Sequence, residues 1–141
     1  MGSEFTLRQQ LEGLISRLKA EVPALKTVVG LDDLDDAMIL ANLLPGAVVL
    51  YSGDYPEKVS GITQFAGQKL YRYWSVIVVM ELTSGPGEAM DLLEAVRDAG
   101  IGWRQGRGGV RYLALAGMKF ISRFNQTRVV YEVRFQAMTT L

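Results

Sequence analysis

Segment 69–82 has the clearest alternation of apolar and polar positions in the chain, and it predicts a long β-strand. The segment reads KLYRYWSVIVVMEL, is rich in β-branched and aromatic residues, and contains neither glycine nor proline. One face is apolar except at Arg72 and comprises Leu70, Trp74, Val76, Val78, Met80 and Leu82. The opposite face carries Lys69, Tyr71, Tyr73, Ser75 and Glu81 around Ile77 and Val79. Because this strand is longer than usual, we expect its first half to project beyond the sheet and its apolar second half to lie at the centre.

Two helical patterns supply the cover that an apolar strand face needs. The first helix begins with a capping box from Thr6 to Gln9 and ends near Glu21, before Pro23. Its apolar positions recur at helical spacing and are Leu7, Leu11, Leu14, Ile15 and Leu18. The second helix begins near Pro86 and ends at Gly100. Its inward positions are Ala89, Leu92, Leu93 and Val96.

Shorter elements are predicted between these segments. Lys26–Val29 is typical of an edge strand that ends at Gly30, and Asp33–Leu44 is typical of a short helix. A buried strand is predicted at Ala47–Asp54. The Tyr55–Gly67 segment lacks periodicity, which indicates a loop or an extended hairpin tip.

The C-terminal part of the chain predicts further strands. Arg111–Leu115 is a candidate strand, and a hairpin follows in which Asn125-Gln126 is taken as a two-residue turn. That register places Arg123 opposite Arg128, a like-charge pair that a sheet disfavours. The alternation continues to Leu141, so we expect the last strand to reach the end of the sequence.

Together these elements predict one α+β domain over residues 6–141. We expect a mostly antiparallel β-sheet with a long central strand and a C-terminal hairpin, and helices packed on one face. The first five residues, MGSEF, are typical of a cloning tag, and the fold prediction leaves them out.

Composition excludes several classes of chemistry. The chain contains no histidine and no cysteine, which excludes histidine triads, thiol catalysis and cysteine metal sites. The 15 basic residues balance the 15 acidic ones, so no net field draws the protein to nucleic acid or to an anionic membrane. No apolar run is long enough for a membrane span, and no signal peptide is predicted.

An aspartate cluster is the one candidate metal site. Asp32, Asp33, Asp35 and Asp36 precede the predicted short helix. Carboxylates of this kind can hold a hard cation such as Mg²⁺, but the spacing is not that of a calcium loop. Acids are also favoured at a helix N-terminus by the helix dipole, and the solvated helix end is the favoured interpretation.

Two other groups are candidates for binding. Arg104, Arg107 and Arg111 accompany a glycine-rich stretch that lacks the residues of a phosphate-binding loop, so a basic loop that meets an acidic partner is favoured over a nucleotide site. Tyr71 and Tyr73 lie on the polar face of the long strand, where an intersubunit contact is favoured over base stacking.

Three stretches resemble the phage tail terminators of Mu-like contractile-tailed phages and related prophages. They are the pattern from Pro23 to Asp54, with PALKTVVG, LDDA and LPGAVVLY, the strand Trp74–Leu82, and the helix and turn Glu88–Trp103. The resemblance implies an α+β subunit that forms a hexameric ring, caps the tail tube, stops its growth and offers a surface for head attachment. It implies no catalytic residues and no cofactor, although Mg²⁺ assists assembly in some tail terminators.

The same resemblance implies the partners. They are other copies of the chain, the tail tube protein and the head–tail connector protein, without membrane or sequence-specific nucleic acid. The protein would then be found in the host cytoplasm during assembly and later in the virion tail. The alternatives are another head–tail joining adaptor and, less favoured, a metal-dependent enzyme built on carboxylates. Candidate contacts with a neighbouring subunit or the tube are Asp32, Asp33, Asp36, Tyr71, Tyr73, Arg104, Arg107, Arg111, Arg123 and Arg128.

The basic residues predict binding to protein rather than to DNA. We expect no gel shift of duplex DNA at physiological salt, and we expect the changes Arg104→Glu, Arg107→Glu and Arg123→Glu to impair assembly, because arginine matches carboxylate geometry. A submicromolar shift that falls steeply with salt and disappears in these variants would instead favour phosphate binding.

Overall fold

A computed structural model describes residues 6–30, 44–57, 69–81, 86–103, 113–124 and 127–140. Within them lie two helices and five strands, α1 (Leu7–Glu21), β1 (Thr27–Gly30), β2 (Gly46–Pro56), β3 (Lys69–Glu81), α2 (Pro86–Gly100), β4 (Ala114–Phe124) and β5 (Arg128–Thr140). Neither of these helices is long and apolar enough to cross a membrane.

The strands form one sheet in the order β1-β2-β3-β5-β4. Only β1 and β2 pair in parallel, and the other three pairings are antiparallel. The predicted long strand is β3, and it occupies the middle of the sheet. The predicted C-terminal hairpin is β4 and β5. The α+β class and the mostly antiparallel sheet are therefore confirmed.

The first half of β3 does not project beyond the sheet, contrary to the expectation from its length. Tyr71 pairs with Tyr55 of β2 on one side and with Met138 of β5 on the other, and Lys69 still pairs with Thr140. The physical reason is that both neighbours are long too. In particular, β2 continues to Pro56, past the predicted end of that strand at Asp54.

The core lies between the sheet and the two helices, which both pack on the face of β3 predicted to be apolar. On that face Leu70, Trp74, Val76, Val78 and Met80 are all buried, as predicted. The helices contribute Leu14 and Leu18 from α1 and Leu92, Leu93 and Val96 from α2. The apolar stripes of the sequence therefore meet one another in a single cluster.

Three local features define the start of α1 and the packing at the end of α2. The predicted capping box closes the start of α1, because the Gln9 backbone N–H donates to Thr6 Oγ1 at 3.1 Å and the Thr6 backbone N–H donates to Gln9 Oε1 at 2.9 Å. At the end of α2, Gly100 lies directly on the ring of Phe135, where any Cβ atom would overlap the ring. Arg17 Nε donates to the Ala99 carbonyl at 3.1 Å and joins the two helices there.

The register of the hairpin differs from the prediction near its turn. Phe120 faces Tyr131 and Met118 faces Val133, as predicted, but Ile121 is an extra residue in β4. This bulge shifts the pairing toward the turn by one residue. Arg123 consequently lies opposite Val129, so the predicted Arg123–Arg128 pair is wrong.

The two faces of β3 predict different costs of truncation. Trp74 is fully buried whereas Tyr73 is half-buried on the other face, so Trp74→Ala should lower the free energy of unfolding by about 3–5 kcal/mol and Tyr73→Ala by about 1 kcal/mol. Urea unfolding followed by circular dichroism measures both. The opposite ranking would contradict the face assignment.

Candidate subunit interface

The sheet is wider than the two described helices can cover. Strands lie about 4.8 Å apart, so five strands span roughly 19 Å between the outermost axes, and two helices packed 8–10 Å apart cover about four of them. Helix α1 packs on β1 and β2, while α2 makes small contacts with both β5 and β4. Within the described residues, the outermost strand β4 is therefore covered only in part.

Apolar side chains on β4 are correspondingly exposed. The exposed fractions are 38% for Leu115, 36% for Met118, 54% for Phe120 and 44% for Ile121. Phe120 contacts only the edge of the ring of Tyr131 among the described aromatic pairs, at a centroid distance of 5.7 Å. A long outermost strand with exposed apolar side chains is typical of a surface that another chain covers.

The two predicted arginines of the hairpin lie on different faces of the sheet. Arg123 is exposed on β4 and shares the helix-covered face with its partner Val129. Arg128 lies on the opposite face, where its Nε donates to Glu81 Oε1 of β3 at 2.7 Å. Arg128 is therefore held within the sheet, whereas Arg123 is exposed on the outermost strand.

The face without described helices carries an aromatic cluster around Arg134. The Arg134 guanidinium lies over the ring of Tyr73 at 4.5 Å from its centroid, and Tyr55 meets Tyr73 edge-on at 5.5 Å. With Gln136 these side chains line a shallow depression. Tyr71 lies apart from the cluster and donates to Glu57 Oε1 at 3.4 Å. Tyr73 thus belongs to a polar and aromatic surface on the face without described helices.

Beside this cluster, the same face contains a buried hydrogen-bonded chain. Ser75 is fully buried, and its Oγ donates to Glu132 Oε2 at 2.7 Å. Ser52 Oγ lies 2.6 Å from Ser75 Oγ and donates to it, since the Ser75 proton is already used. Lys119 Nζ lies 3.7 Å from the other Glu132 oxygen. The chain satisfies Ser75 and leaves the face polar at its centre.

At the other edge of the sheet, α1 and β2 border an open groove of about 410 Å³. We call it the α1 groove. Its apolar lining includes Leu7, Leu11, Ile15 and Tyr51, with Arg8 and Glu12 at the rim and Gly30 and Trp74 below. Leu7 is 40% exposed and Tyr51 is 38% exposed, so the groove presents apolar surface to solvent.

A polar network lies beside the α1 groove, where the apolar face of β3 is interrupted. Arg72 donates to both carboxylate oxygens of Asp54, at 2.8 and 2.9 Å, and to Gln10 Oε1 of α1 at 3.3 Å. These hydrogen bonds from Arg72 hold the pKa of Asp54 below its usual range. The pKa of Tyr51 is raised by burial and by its hydrogen bond to Asp54.

Several predicted site residues lie outside the described residues. They are Asp32, Asp33, Asp35 and Asp36 of the aspartate cluster, with its predicted short helix, and Arg104, Arg107 and Arg111 of the basic stretch. In the part of the chain that the structure describes, no three acidic side chains come together as a metal site would require.

Two residues of these surfaces were missed by sequence reasoning. Gln10 is buried because it lies three residues after Leu7 and four before Leu14, on the inner face of α1. The burial of Gln10 could therefore have been predicted from this spacing. No sequence pattern marked Arg134, because its stacking on Tyr73 depends on the pairing of β3 with β5.

Comparison with known protein families identifies the chain. A family model described as phage tail terminator protein matches residues 9–141. The chain belongs to the phage tail terminator family. Among solved structures, this tail terminator matches a chain of the "Virion of native gene transfer agent (GTA) particle" with a TM-score of 0.53 and 17% identity, over 95% of this chain and 91% of that one. None of the curated proteins compared with it matches.

Family membership gives this tail terminator a structural role in the phage tail, within the virion. The similarity to the gene transfer agent chain shows that the two share a fold. Among the described residues, the exposed apolar and aromatic surfaces are the strand β4, the α1 groove and the cluster around Arg134.

The Asp54–Arg72 pair predicts a pH dependence of stability. Because the folded state lowers the pKa of Asp54, its ionised carboxylate stabilises the fold above the usual carboxyl pKa, and this stabilisation is lost as the pH falls from about 5 toward 2. Asp54→Asn should therefore destabilise the protein by about 1–3 kcal/mol at pH 7 and by much less at low pH.

Urea unfolding at several pH values measures this effect. The control is Glu21→Gln, which breaks the exposed Arg17–Glu21 pair and should cost less than 1 kcal/mol. An Asp54→Asn deficit that is equally large at pH 2.5 and at pH 7 would contradict the assignment.

Proposed function

We propose that this protein assembles with other copies of itself into a closed ring that caps the tail tube. In this role it stops tube growth and provides the surface to which the head attaches. The function is structural and involves no catalysis. The subunits assemble in the host cytoplasm and then remain in the virion tail.

The observation that carries this proposal is the exposed apolar side chains of β4 in a member of the tail terminator family. A soluble subunit that functioned alone would not need four large apolar side chains on the outermost strand of its sheet. The α1 groove at the opposite edge is a second apolar surface of different shape. Two different surfaces on one subunit are what a head-to-tail ring requires.

The further partners proposed are the tail tube protein and the head–tail connector protein. The face without described helices, which carries Tyr73 and Arg134, supports contact with such a partner, because arginine and tyrosine are enriched where proteins bind each other. We expect six subunits in the ring, the number implied by the resemblance described above.

A dependence of assembly on Mg²⁺ is a companion proposal. Its candidate ligands are the aspartates Asp32, Asp33, Asp35 and Asp36, and Mg²⁺ prefers carboxylate oxygens of this kind. If it is correct, chelation with EDTA shifts the ring toward smaller species and added Mg²⁺ restores it. Unchanged ring mass in EDTA would remove the metal from the proposal and leave the ring in place.

The ring itself is tested on the purified protein. We expect multi-angle light scattering to give the mass of a hexamer and negative-stain electron micrographs to show rings with a central hole. A protein that stays monomeric up to millimolar concentration, with and without Mg²⁺, would contradict the proposed function.

A further inference from the structure

The shallow depression around Arg134 lies on the broad face of the sheet rather than at either edge. We call it the Arg134 depression. It has a volume of about 380 Å³ and is lined by Tyr55 of β2, Tyr73 of β3, Ala116 of β4, and Arg134 and Gln136 of β5. The α1 groove and the exposed side chains of β4 lie toward the two edges of the same sheet. Contacts made at those edges leave this face open to a different partner.

Arg134 differs from two other arginines of the sheet, because it has no carboxylate partner within the described residues. Arg72 Nε donates to Asp54 Oδ1 at 2.8 Å. Arg128 Nε donates to Glu81 Oε1 at 2.7 Å. Arg134 Nε is buried and has no hydrogen-bond partner in the part of the chain that the structure describes. A buried donor without an acceptor is unfavourable, so the Arg134 guanidinium is short of an anion.

The acidic residue beside Arg134 on the same face of β5 is engaged elsewhere. This residue is Glu132, whose Oε2 accepts a hydrogen bond from Ser75 at 2.7 Å. The other oxygen of Glu132 lies 3.7 Å from Lys119 Nζ. The anion that Arg134 lacks therefore has to come from outside the described part of the subunit.

Two glycines leave space beside the stacked side chains of Tyr73 and Arg134. Gly53 of β2 pairs with Tyr73, and Gly117 of β4 pairs with Arg134. A Cβ atom at Gly53 would lie 3.2 Å from the ring of Tyr55, so glycine there allows this ring to lie close to the sheet. A Cβ atom at Gly117 would meet nothing within 4 Å, which shows open space next to the guanidinium.

The stacked arginine is also prepared to bind an anion. The Arg134 guanidinium lies 4.5 Å from the centroid of the Tyr73 ring, and this cation–π contact restricts its orientation before any ligand arrives. A planar guanidinium matches a carboxylate through two parallel hydrogen bonds, which makes the pair both strong and directional.

The charges of this face favour a carboxylate over the phosphates of a nucleic acid. Binding to a nucleic acid strand depends on several cations that each neutralise a phosphate. Two further cations of this face are already paired, since Lys119 lies near Glu132. The other is Arg128, which is bound to Glu81. A single open guanidinium among tyrosine rings fits one acidic side chain of a protein better.

We propose that the Arg134 depression binds an aspartate or glutamate side chain on an extended segment of a partner protein. The guanidinium of Arg134 pairs with the carboxylate, and the rings of Tyr55 and Tyr73 contact the neighbouring residues of the segment. The amide of Gln136 supplies a donor and an acceptor for the backbone of the segment. This inference does not depend on ring formation, and it gives a chemistry to the contact proposed above for this face.

Binding of two matched peptides to the purified protein tests the site. The probes are blocked tripeptides, N-acetyl-Gly-Glu-Gly amide and N-acetyl-Gly-Gln-Gly amide. Nuclear magnetic resonance follows the Nε–H signal of Arg134 and the backbone amide signal of Gln136 during each titration. We expect the glutamate peptide to shift both signals to saturation and to bind at least about tenfold more tightly than the glutamine peptide, because hydrogen bonds to charged groups are stronger than neutral ones.

Substitutions of the arginine show whether the guanidinium makes this distinction. Arg134→Gln should abolish the preference for the glutamate peptide, and Arg134→Lys should restore it only in part, because lysine lacks the planar fork. Arg97→Gln is the matched control, since Arg97 lies on α2 and pairs with Asp98, outside the depression. The control should keep the full preference. The amide signal of Gln136 reports on all variants, and circular dichroism melts check that each is folded.

Each other outcome overturns the inference in a defined way. Equal binding of the two peptides, or a preference that persists in Arg134→Gln, would show that Arg134 does not select a carboxylate. A duplex DNA oligonucleotide that shifts the same signals more strongly than the glutamate peptide would assign the depression to phosphate. An Arg134 signal that changes as monomers assemble, without any peptide, would assign the carboxylate to a second copy of the chain.

Light scattering on the same samples separates this inference from the proposed function. Absence of rings would contradict the proposed function and leave the peptide result valid. Rings without selective binding of the glutamate peptide would overturn only the carboxylate site.

Discussion

The geometry of helix cover is the constraint on which the rest of this structure depends. On the face that forms the core, the sheet is buried where helices lie on it, and the two described helices span about four of the five strands. The core is consequently complete over β1, β2, β3 and β5, where Trp74 and Phe135 are fully buried. The same limit on helix width leaves several apolar side chains of the outermost strand β4 exposed, although α2 contacts this strand. The width of the two described helices therefore accounts for both the buried core and the exposed strand.

Polar residues at the edge of the core are tolerated because they form hydrogen bonds with each other. Arg72 interrupts the apolar face of β3 and Gln10 interrupts the apolar stripe of α1, and each would be costly to bury alone. In the structure Arg72 donates hydrogen bonds to Gln10 and to both carboxylate oxygens of Asp54. The polar residue of β3 and the polar residue of α1 therefore lie next to each other. This contact also sets how α1 is placed along the sheet, because apolar packing by itself is less directional than hydrogen bonding.

The sequence predicted those features that depend on local periodicity. Most inward positions of α1, α2 and β3 were identified, because a period of two or 3.6 assigns each side chain to a face. The exceptions in α1 are Leu7, which is 40% exposed, and Gln10, which is buried. It did not predict the bulge at Ile121, since no composition marks an extra residue in a strand, and this misplaced Arg123 against Arg128. It also did not predict which strand would keep exposed apolar side chains. That property depends on strand order and on where the helices lie, and both are set by contacts between distant segments.

The two register shifts between β4 and β5 affect how the outer edge of β4 can pair with further strands. The ladder with β5 shifts between Leu115 and Gly117 and again between Phe120 and Ser122, so the outer strand is twisted and broken into short regular stretches. A long, flat, apolar outer strand would instead add further strands without limit and grow into fibres. The bulges therefore disfavour unlimited addition of strands at β4, even though this strand exposes apolar side chains.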